Sequence, residues 1–439
     1  MWGGTFSFVP KRDVFFVDRA AAERLFGDAL RIGSVDPIPL EAQALAPRIH
    51  AADLAGIASS VQTYLADPVV FVHGGTSWTV QPQTVASAVR VRENPGSGVS
   101  AVFAPEMVDA LVAQFRGALG APAVDPAIGA GGQFGRLVGA ADGVAVNRDA
   151  LTAAIAEALA SGSHRIEIPV SQQSPSATTD QFLATIGVTT LIATGASDFS
   201  GSEKGRATNI RVASALIDGL MIPPGKTFSY NHGIGSIVDV PGFVPAGATE
   251  NGIPGTSVGG GVCQVSTTIF RAALKAGFPV TEWWPHAYRS VYYEQSGWAP
   301  GFDASIQQPE GDPFGGSDLA FTNTTDAWML IRTQISADDK LTVQLFGKAT
   351  GYRVEIDNPQ QSSLDPVTEP PTEEIDPSLP PGTVKRVQPT RDGMTVTVVR
   401  HVFDASGAQI STDRFVTTYL PQSEVYRVSP DRAGSMSGA

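Results

Sequence analysis

Cys263 is the only cysteine among the 439 residues, and it lies where the sequence predicts the start of a helix. Three glycines, at 259–261, come shortly before it, and apolar residues follow at helical spacing up to Gly277, a typical helix terminator. The free N–H groups and dipole of a helix N-terminus lower the pKa of a thiol below about 8.5. They can also bind the oxyanion of an acyl-transfer intermediate. The pattern indicates a cysteine nucleophile, and the alternative is a small, inert core residue.

A cysteine nucleophile needs a proton acceptor, and His286 follows the predicted helix. The helix carries the chain away from Cys263, and a following strand can return His286 to the helix start. Imidazole changes protonation near neutral pH, which suits general acid and base catalysis. Asp303 can orient that imidazole in the manner of a catalytic triad. We therefore predict Cys263, His286 and Asp303 as catalytic residues.

Two features near these residues allow more than one interpretation. A glycine-rich turn into a helix can hold phosphate, but no lysine follows Gly261, which argues against a phosphate loop. The aromatic residues around His286 are either core or the wall of a groove: Trp283, Trp284, Tyr288, Tyr292 and Tyr293.

Composition narrows the class of partner. Lys and Arg number 30 against 43 Asp and Glu, a net charge of −13, which argues against nucleic acid. No stretch of 18 apolar residues predicts a membrane span, and we expect no metal and no cofactor. The chain begins Met-Trp-Gly-Gly, without the basic and apolar regions of a signal peptide. Either the protein is cytosolic or an export segment lies outside this sequence.

The N-terminal part contains an internal repeat. A strand, a helix and a second strand are predicted over residues 13–40 and again over 142–170, with Asp18 and Asn147 as helix caps. Between the two copies we predict a hairpin over 68–80 and a helix over 105–119. Two similar α+β modules are therefore expected, with a binding or spacing role because neither contains a catalytic set of residues.

Five short segments in the second half carry a resemblance to a known family. They are Arg-Ala-Thr-Asn-Ile at 206–210, Gly-Leu-Met-Ile-Pro-Pro-Gly-Lys-Thr-Phe-Ser-Tyr-Asn at 219–231, Gly-Gly-Gly-Val-Cys-Gln-Val-Ser-Thr-Thr at 259–268, Asp-Ala at 303–304 and Asp-Leu-Ala-Phe-Thr-Asn at 318–323. In this order they resemble the VanW domain family over about 190–351, and the glycine-cysteine-glutamine segment is the most specific. The repeats resemble the peptidoglycan-binding modules that commonly precede this domain.

The resemblance implies a fold and a domain order. We expect an α+β protein in which a mixed α/β VanW domain follows the two repeated modules and precedes a small β module. The expected boundaries are 1–98 and 99–188 for the modules, 189–355 for the catalytic domain, 356–381 for a linker rich in Pro, Glu, Asp and Ser, and 382–439 for the β module. On this view the stretch 190–351 alone keeps the chemistry.

The resemblance also implies roles for residues. Some family members look like L,D-transpeptidases in which the cysteine of this segment is the nucleophile, a role that falls on Cys263. His286 matches a recurring histidine that is usually followed by serine, whereas Ala287 follows it here. Six further residues are expected to bind substrate: Arg206, Asn209, Gly260, Gly261, Gln264 and Ser266. For Arg206 the alternative is burial against a strand end, and for Ser266 it is a hydrogen bond back to the helix.

The function implied is a peptidoglycan L,D-transpeptidase that cross-links third stem residues through a cysteine thioester. Its partners would be peptidoglycan stem peptides, and its location would be extracellular and associated with the cell wall. Two alternatives remain open. One is a non-catalytic protein that binds or organises the cell wall, with Cys263 inert. The other is a cysteine-dependent carboxypeptidase, which shares the chemistry but uses water as the acceptor.

Overall fold

The computed structural model describes residues 14–45, 51–94, 98–250 and 253–434. The first 13 residues of the first predicted module, and residues 435–439 of the predicted β module, lie outside the described residues. In chain order the first elements are β1 (Val14–Val17), α1 (Arg19–Arg31), β2 (Ala42–Leu45), α2 (Ala51–Tyr64), β3 (Val69–His73), β4 (Thr76–Val80), α3 (Pro82–Ala88), β5 (Val89–Asn94), β6 (Gly98–Phe103), α4 (Pro105–Leu119), β7 (Ala127–Gly131), β8 (Phe134–Val138), β9 (Gly143–Val146), α5 (Arg148–Ser161), β10 (Arg165–Glu167), β11 (Val170–Gln173) and α6 (Thr179–Thr185).

The remaining elements belong to the second half of the chain. They are β12 (Thr190–Asp198), α7 (Lys204–Ile217), β13 (Leu220–Ile222), β14 (Thr227–Ser229), α8 (Tyr230–Ile234), β15 (Pro245–Glu250), β16 (Ile253–Val258), α9 (Cys263–Ala276), β17 (Val280–Glu282), β18 (Ala320–Thr322), β19 (Met329–Ile335), β20 (Lys340–Gly347), β21 (Arg353–Ile356), β22 (Gln360–Asp365), β23 (Thr372–Ile375), β24 (Val384–Gln388), β25 (Gly393–Phe403), β26 (Gln409–Tyr419) and β27 (Val425–Val428). The predicted α+β class is confirmed. None of the helices in the described parts of the chain combines the length and apolar character that a bilayer crossing requires.

The chain divides into two compact units that alternate along the sequence. Unit 1 comprises Met1–Val124 and Ala141–Pro175, and unit 2 comprises Asp125–Ala140 and Ser176–Ala439. Residues 125–140 therefore belong to unit 2, although they fall within the predicted second module. The predicted domain boundaries themselves stay predictions.

Both predicted copies in unit 1 contain a strand, a helix and a further strand, but the second strand of the first copy lies at Ala42–Leu45 and not at 38–40, and that of the second copy is divided into β10 and β11. In each copy two strands pair antiparallel, β1 with β2 and β9 with β11. The caps are as predicted, because Asp18 accepts from the N–H of Ala20 at 2.8 Å and Asn147 from that of Ala150 at 3.0 Å. The β3–β4 hairpin and helix α4 also confirm their predictions.

The two copies differ in burial. Phe26 on α1 and Ile155 on α5 hold equivalent positions after their caps, yet Phe26 is 58% exposed and Ile155 is 1% exposed. Ile155 packs in a core with Phe71, Phe115 and Leu151. The number of complete modules therefore stays a prediction.

Unit 2 is built on a six-stranded sheet in the order β12-β20-β19-β13-β8-β7. The β7–β8 hairpin reaches this sheet from the middle of the N-terminal half and pairs with β13. Helix α9 lies directly on β12, since a Cβ at Gly195 would stand 2.0 Å from the carbonyl oxygen of Thr268. A hydrogen bond of 2.6 Å between Ser197 and Thr268 fixes this contact. The sheet therefore holds the helix that begins with Cys263.

The C-terminal strands form two small sheets, β21-β25-β22 with β26 beside β25, and β23-β27-β24. The segment predicted as a small β module, 382–439, contains the strands β24, β25, β26 and β27. The segment predicted as a linker differs from expectation, because it contains β22 and β23.

The C-terminal strands share the core of unit 2. Val398 and Phe415 are buried in the same cluster as the apolar face of α9. Arg400, which is 1% exposed, donates to the carbonyl oxygens of Ala273 and Leu274 at the end of α9. The Leu274 carbonyl also accepts from the N–H of Gly277 at 3.2 Å, so Arg400 adds a second donor there and supplies one to Ala273 in the last turn of the helix. The strands are therefore continuous in packing with the helix that carries Cys263.

Candidate active site

The glycines before Cys263 allow a tight turn to lie against neighbouring backbone. A Cβ at Gly260 would stand 2.6 Å from the carbonyl oxygen of Ala246. Gly261 has a φ of +106°, and a Cβ there would stand 2.6 Å from Cγ of Arg206. Only glycine fits both conditions without strain. Both glycines thus serve close packing, and any contact with a substrate stays a prediction.

Cys263 is the first residue of α9, as predicted, and it is partly exposed. The turn before it is held by Tyr230, whose hydroxyl donates to the carbonyl oxygen of Val262 at 2.9 Å. Among the hydrogen bonds of the described residues, none uses the backbone N–H of Gly261 or Cys263 as its donor. These groups are the unpaired donors that a helix N-terminus provides. Donors of this kind at a helix N-terminus can stabilise an anion.

The structure brings His286 and Asp303 together beside Cys263. Strand β17 returns the chain from the end of α9, and His286 follows it. Nδ1 of His286 lies 2.6 Å from Oδ2 of Asp303, which also accepts from the backbone N–H of His286 at 3.1 Å. With Nδ1 committed to Asp303, Nε2 is the ring nitrogen left to interact with the Cys263 thiol, which itself lies 3.9 Å from the carbonyl oxygen of Ile306. The structure therefore brings the three predicted residues together, with His286 hydrogen-bonded to Asp303 and interacting with Cys263.

Charge interactions among Cys263, His286 and Asp303 favour the thiolate form of Cys263. Burial by itself raises the pKa of Cys263, but the hydrogen bond with His286 and the positive charge of that imidazole outweigh it. Smaller contributions come from the Ile306 backbone and Arg206, and the pKa of Cys263 lies below its ordinary value. Burial likewise opposes ionisation of Asp303, yet His286 and Tyr419 hold the pKa of its carboxyl below the usual range.

His286 is correspondingly easy to protonate. Burial alone lowers the pKa of His286, whereas its interactions with Tyr293, Asp303 and Cys263 raise it well above its ordinary value. Burial raises the pKa of Tyr293, so its hydroxyl is neutral at neutral pH. The charges that stabilise the imidazolium there are the Asp303 carboxylate and the Cys263 thiolate. The geometry therefore favours an ion pair between Cys263 and His286.

The side chains predicted to bind substrate have partners within the chain. Arg206 donates to Gln264 at 2.6 Å and to Ser202 at 2.7 Å, and its guanidinium lies 4.1 Å from the ring centre of Tyr292. Gln264 in turn donates to the carbonyl oxygen of Asp198 at 3.3 Å. Both side chains are buried. They join the start of α7 to the start of α9.

Asn209 and Ser266 are also fully buried. Asn209 donates to the carbonyl oxygens of Val244 and Gly260, at 2.9 and 3.0 Å, and so fixes the glycine turn. Ser266 donates back to the carbonyl of Cys263 at 3.1 Å, the alternative considered above, and to that of Ala304 at 2.6 Å. These contacts support a positioning role, and direct binding of a substrate stays a prediction.

Residues to which the sequence analysis gave no catalytic role complete the site. Tyr293 stacks on His286 with ring centres 4.5 Å apart. Tyr419 donates its hydroxyl hydrogen to Oδ1 of Asp303, and the indole N–H of Trp283 donates to the Asp303 carbonyl at 2.9 Å. Arg271, 1% exposed, donates to the carbonyls of Phe302 at 3.1 Å and of Tyr293. The aromatic run around His286 was the available signal for Tyr293, whereas nothing local pointed to Tyr419.

Comparison with protein families identifies this part of the chain. A family model described as VanW like protein matches residues 205–346, which include Cys263, His286 and Asp303. The chain contains a VanW domain. The predicted family is thereby confirmed for this segment. The cysteine of the glycine-cysteine-glutamine segment, Cys263, lies at the start of α9.

Two curated relatives are each similar to about a third of this chain. The uncharacterized protein YoaR of Bacillus subtilis is 35% identical over 136 residues, which cover 31% of this chain and 41% of YoaR. The vancomycin B-type resistance protein VanW of Enterococcus faecalis is 26% identical over 144 residues, which cover 33% of this chain and 50% of that protein. The chain thus spans half or less of the length of these relatives.

One solved structure, the crystal structure of HP0197-G5, matches at 19% identity over 17% of this chain and 95% of its own. Its TM-score is 0.09, so it supports no inference about this chain.

Proposed function

We propose that this chain is a cell-wall enzyme, a peptidoglycan L,D-transpeptidase whose nucleophile is Cys263. The observation that carries the proposal is the His286–Asp303 hydrogen bond beside Cys263, which is the first residue of a helix. A thiolate, a protonated imidazole and unpaired backbone N–H groups are the parts that acyl transfer requires. The similarity to a vancomycin resistance protein supports peptide stems of the cell wall as the substrate class. Because those stems lie outside the membrane, the proposed location is extracellular and associated with the wall.

In the first half-reaction the Cys263 thiolate attacks the carbonyl carbon of the third stem residue. The backbone N–H of Cys263 stabilises the oxyanion of the tetrahedral intermediate. His286 gives its proton from Nε2 to the amide nitrogen of the terminal D-residue, the C–N bond breaks, and a thioester remains. Asp303 holds Nδ1 throughout and stabilises the imidazolium.

In the second half-reaction an amine of a diamino residue on a neighbouring stem attacks the thioester. The now neutral His286 accepts the proton that this amine releases, and the C–S bond breaks to return the Cys263 thiolate. The product is an amide between two third residues. With water as the attacking group the same steps trim the stem, which is the carboxypeptidase alternative.

Mass spectrometry of stem-peptide products from the purified full chain tests the proposal. We expect a cross-linked dimer and loss of the terminal D-residue, with a transient acyl adduct on Cys263. Cys263→Ala should abolish the adduct and the product. His286→Ala should slow adduct formation by roughly 10²–10⁴-fold. His232→Ala is the matched control, because His232 contacts Ser229 and Phe314 instead and should keep wild-type rates.

The products separate the alternatives. Release of the D-residue without a dimer, in the presence of an amine acceptor, would support the carboxypeptidase. No product, together with a Cys263 that alkylates only after unfolding, would support a protein that binds the wall without catalysis. An acyl adduct that survives Cys263→Ala would exclude the mechanism.

A further inference from the structure

Tyr419, the last residue of β26, is hydrogen-bonded to the carboxylate of Asp303 beside His286. The side chain is 3% exposed. Its hydroxyl donates to Oδ1 of Asp303 and accepts from the backbone N–H of Gly301 at 2.9 Å. The other carboxylate oxygen, Oδ2, accepts from His286. Each oxygen of Asp303 therefore has its own donor, one from the C-terminal strands and one from the histidine.

The loop that carries His286 is tied to the same C-terminal region at two further points. The backbone N–H of Leu420 donates to the carbonyl oxygen of Ala287 at 2.7 Å. Arg391 donates to the carbonyl oxygen of Arg289 at 2.8 Å. The residue after His286 and a residue two positions further are thus both held from one side.

Aromatic packing gives a third connection. Phe415 on β26 meets Trp283 edge to face, with ring centres 5.3 Å apart. The indole of Trp283 donates to the carbonyl oxygen of Asp303 at 2.9 Å. The C-terminal strands therefore contact Asp303 both through its carboxylate and through the residue that binds its backbone.

We propose that the C-terminal strands are part of the catalytic apparatus, with Tyr419 as a positioning residue that orients Asp303 and, through it, His286. The inference rests on the proposed function, since it assigns Tyr419 to the same site. A carboxylate held at one oxygen alone can rotate about its Cβ–Cγ bond and leave Nδ1. The Tyr419 hydroxyl prevents this rotation, because it is itself fixed by the N–H of Gly301. A Tyr419 that merely filled space in the core would do the same work with a phenyl ring.

The rate of Cys263 alkylation by iodoacetamide, measured across pH on the full chain, distinguishes these roles. In Tyr419→Phe we expect the midpoint of the profile to move up by about one pH unit, a tenfold change in the thiolate equilibrium. The reason is that a loosened carboxylate stabilises the imidazolium less, so the thiolate forms at higher pH. Tyr426→Phe is the matched control, since the Tyr426 hydroxyl donates to Glu424 on the same group of strands. It should keep the wild-type midpoint.

Thermal melting shows whether each variant is folded. A folded Tyr419→Phe protein with the wild-type midpoint, or a lower one, would overturn the proposal. Should Tyr419→Phe fail to fold, the comparison moves to Asp303→Asn with and without Tyr419→Phe, where no buried carboxylate is left unpaired. If Tyr419 acts through Asp303, the two profiles coincide, whereas a further shift in the double variant contradicts that route.

Alkylation requires no stem peptide, so the two proposals can fail separately. A low alkylation midpoint in the wild type without any stem product would count against the transpeptidase, while the effect of Tyr419→Phe would still decide the positioning role. Normal product formation by the wild type, together with an unchanged profile for Tyr419→Phe, would count against the positioning role alone.

Discussion

Replacing Phe415 with alanine tests whether the C-terminal strands and the helix of Cys263 unfold as one body. Phe415 is 7% exposed and meets Phe270 and Trp283 edge to face, each with ring centres 5.3 Å apart. Truncation of a core phenylalanine costs about 3–5 kcal/mol, through lost burial and a residual cavity. Because part of the ring is exposed, we expect about 3 kcal/mol. In a unit of this size that corresponds to a melting temperature lower by roughly 6–12 °C.

Tryptophan fluorescence of the full chain during thermal unfolding measures this effect. Four tryptophans belong to unit 2, so the signal reports mainly on that unit: Trp283, Trp284, Trp298 and Trp328. Val416→Ala is the matched control, because Val416 is the next residue on the same strand and is 47% exposed. Its change in stability should stay within about 0.5 kcal/mol.

Two results would refute the reasoning on Phe415. The first is a Phe415→Ala protein that is no less stable than Val416→Ala. The second is a new transition at low temperature, by circular dichroism, that leaves the tryptophan transition unchanged. The second result would mean that the C-terminal strands unfold by themselves and do not support the site.

Other predictions follow from the site and from the end of α9. Gly261→Ala places a Cβ against Arg206 at a φ of +106°, so the free energy of unfolding in urea should fall by roughly 1–3 kcal/mol. A urea midpoint equal to that of the wild type would contradict this strain. Despite burial, His286 lowers the pKa of Asp303, so the stability that this carboxylate adds above about pH 3.9 should be lost as pH falls through its folded pKa. Asp303→Asn should remove that part of the pH dependence of melting, and an unchanged acid limb would count against it. The raised pKa of His286 adds stability that is complete below about pH 6.5 and is lost as pH rises through the folded pKa, so His286→Ala should flatten the alkaline limb. Arg400→Met should lower the free energy of urea unfolding by about 2 kcal/mol, since it removes a donor from the carbonyls of Ala273 and Leu274, of which Leu274 keeps the N–H of Gly277, and from a carboxylate that is one-third exposed. A neutral result would mean that water replaces these bonds.

Local patterns predicted the elements that carry the chemistry. The apolar spacing after Cys263 and the stop at Gly277 set the limits of α9, because helix signals act within a few residues. The predicted contact between His286 and Asp303 is present in the structure, where Nδ1 of His286 lies 2.6 Å from Oδ2 of Asp303. The contact could be predicted because both residues follow helix α9 along the chain, in the segment that leads back to the start of that helix.

Pairing between strands that lie far apart in the sequence could not be predicted from local patterns. The β7–β8 hairpin pairs with β13, far along the chain, and no pattern within the hairpin specifies that partner. Strand β22 exposes every one of its residues, so it lacks the apolar alternation by which strands are predicted. Tyr419 looked like one more residue of an alternating strand, and only the folded sheet shows that its hydroxyl reaches Asp303.

The alternation of the two units along the chain limits how such proteins can be recombined. The chain passes between the units at 124/125, 140/141 and 175/176, so no single junction separates an N-terminal half from a C-terminal one. A chimera joined at 175/176 would supply the β7–β8 hairpin from one parent and β13 from the other. Unless the hairpin of the first parent still paired with β13 of the second, the short strand at Leu220–Ile222 would become an open sheet edge, which favours aggregation. Evolution is thereby expected to exchange the hairpin together with the VanW domain, even though the N-terminal repeat surrounds the hairpin in the gene.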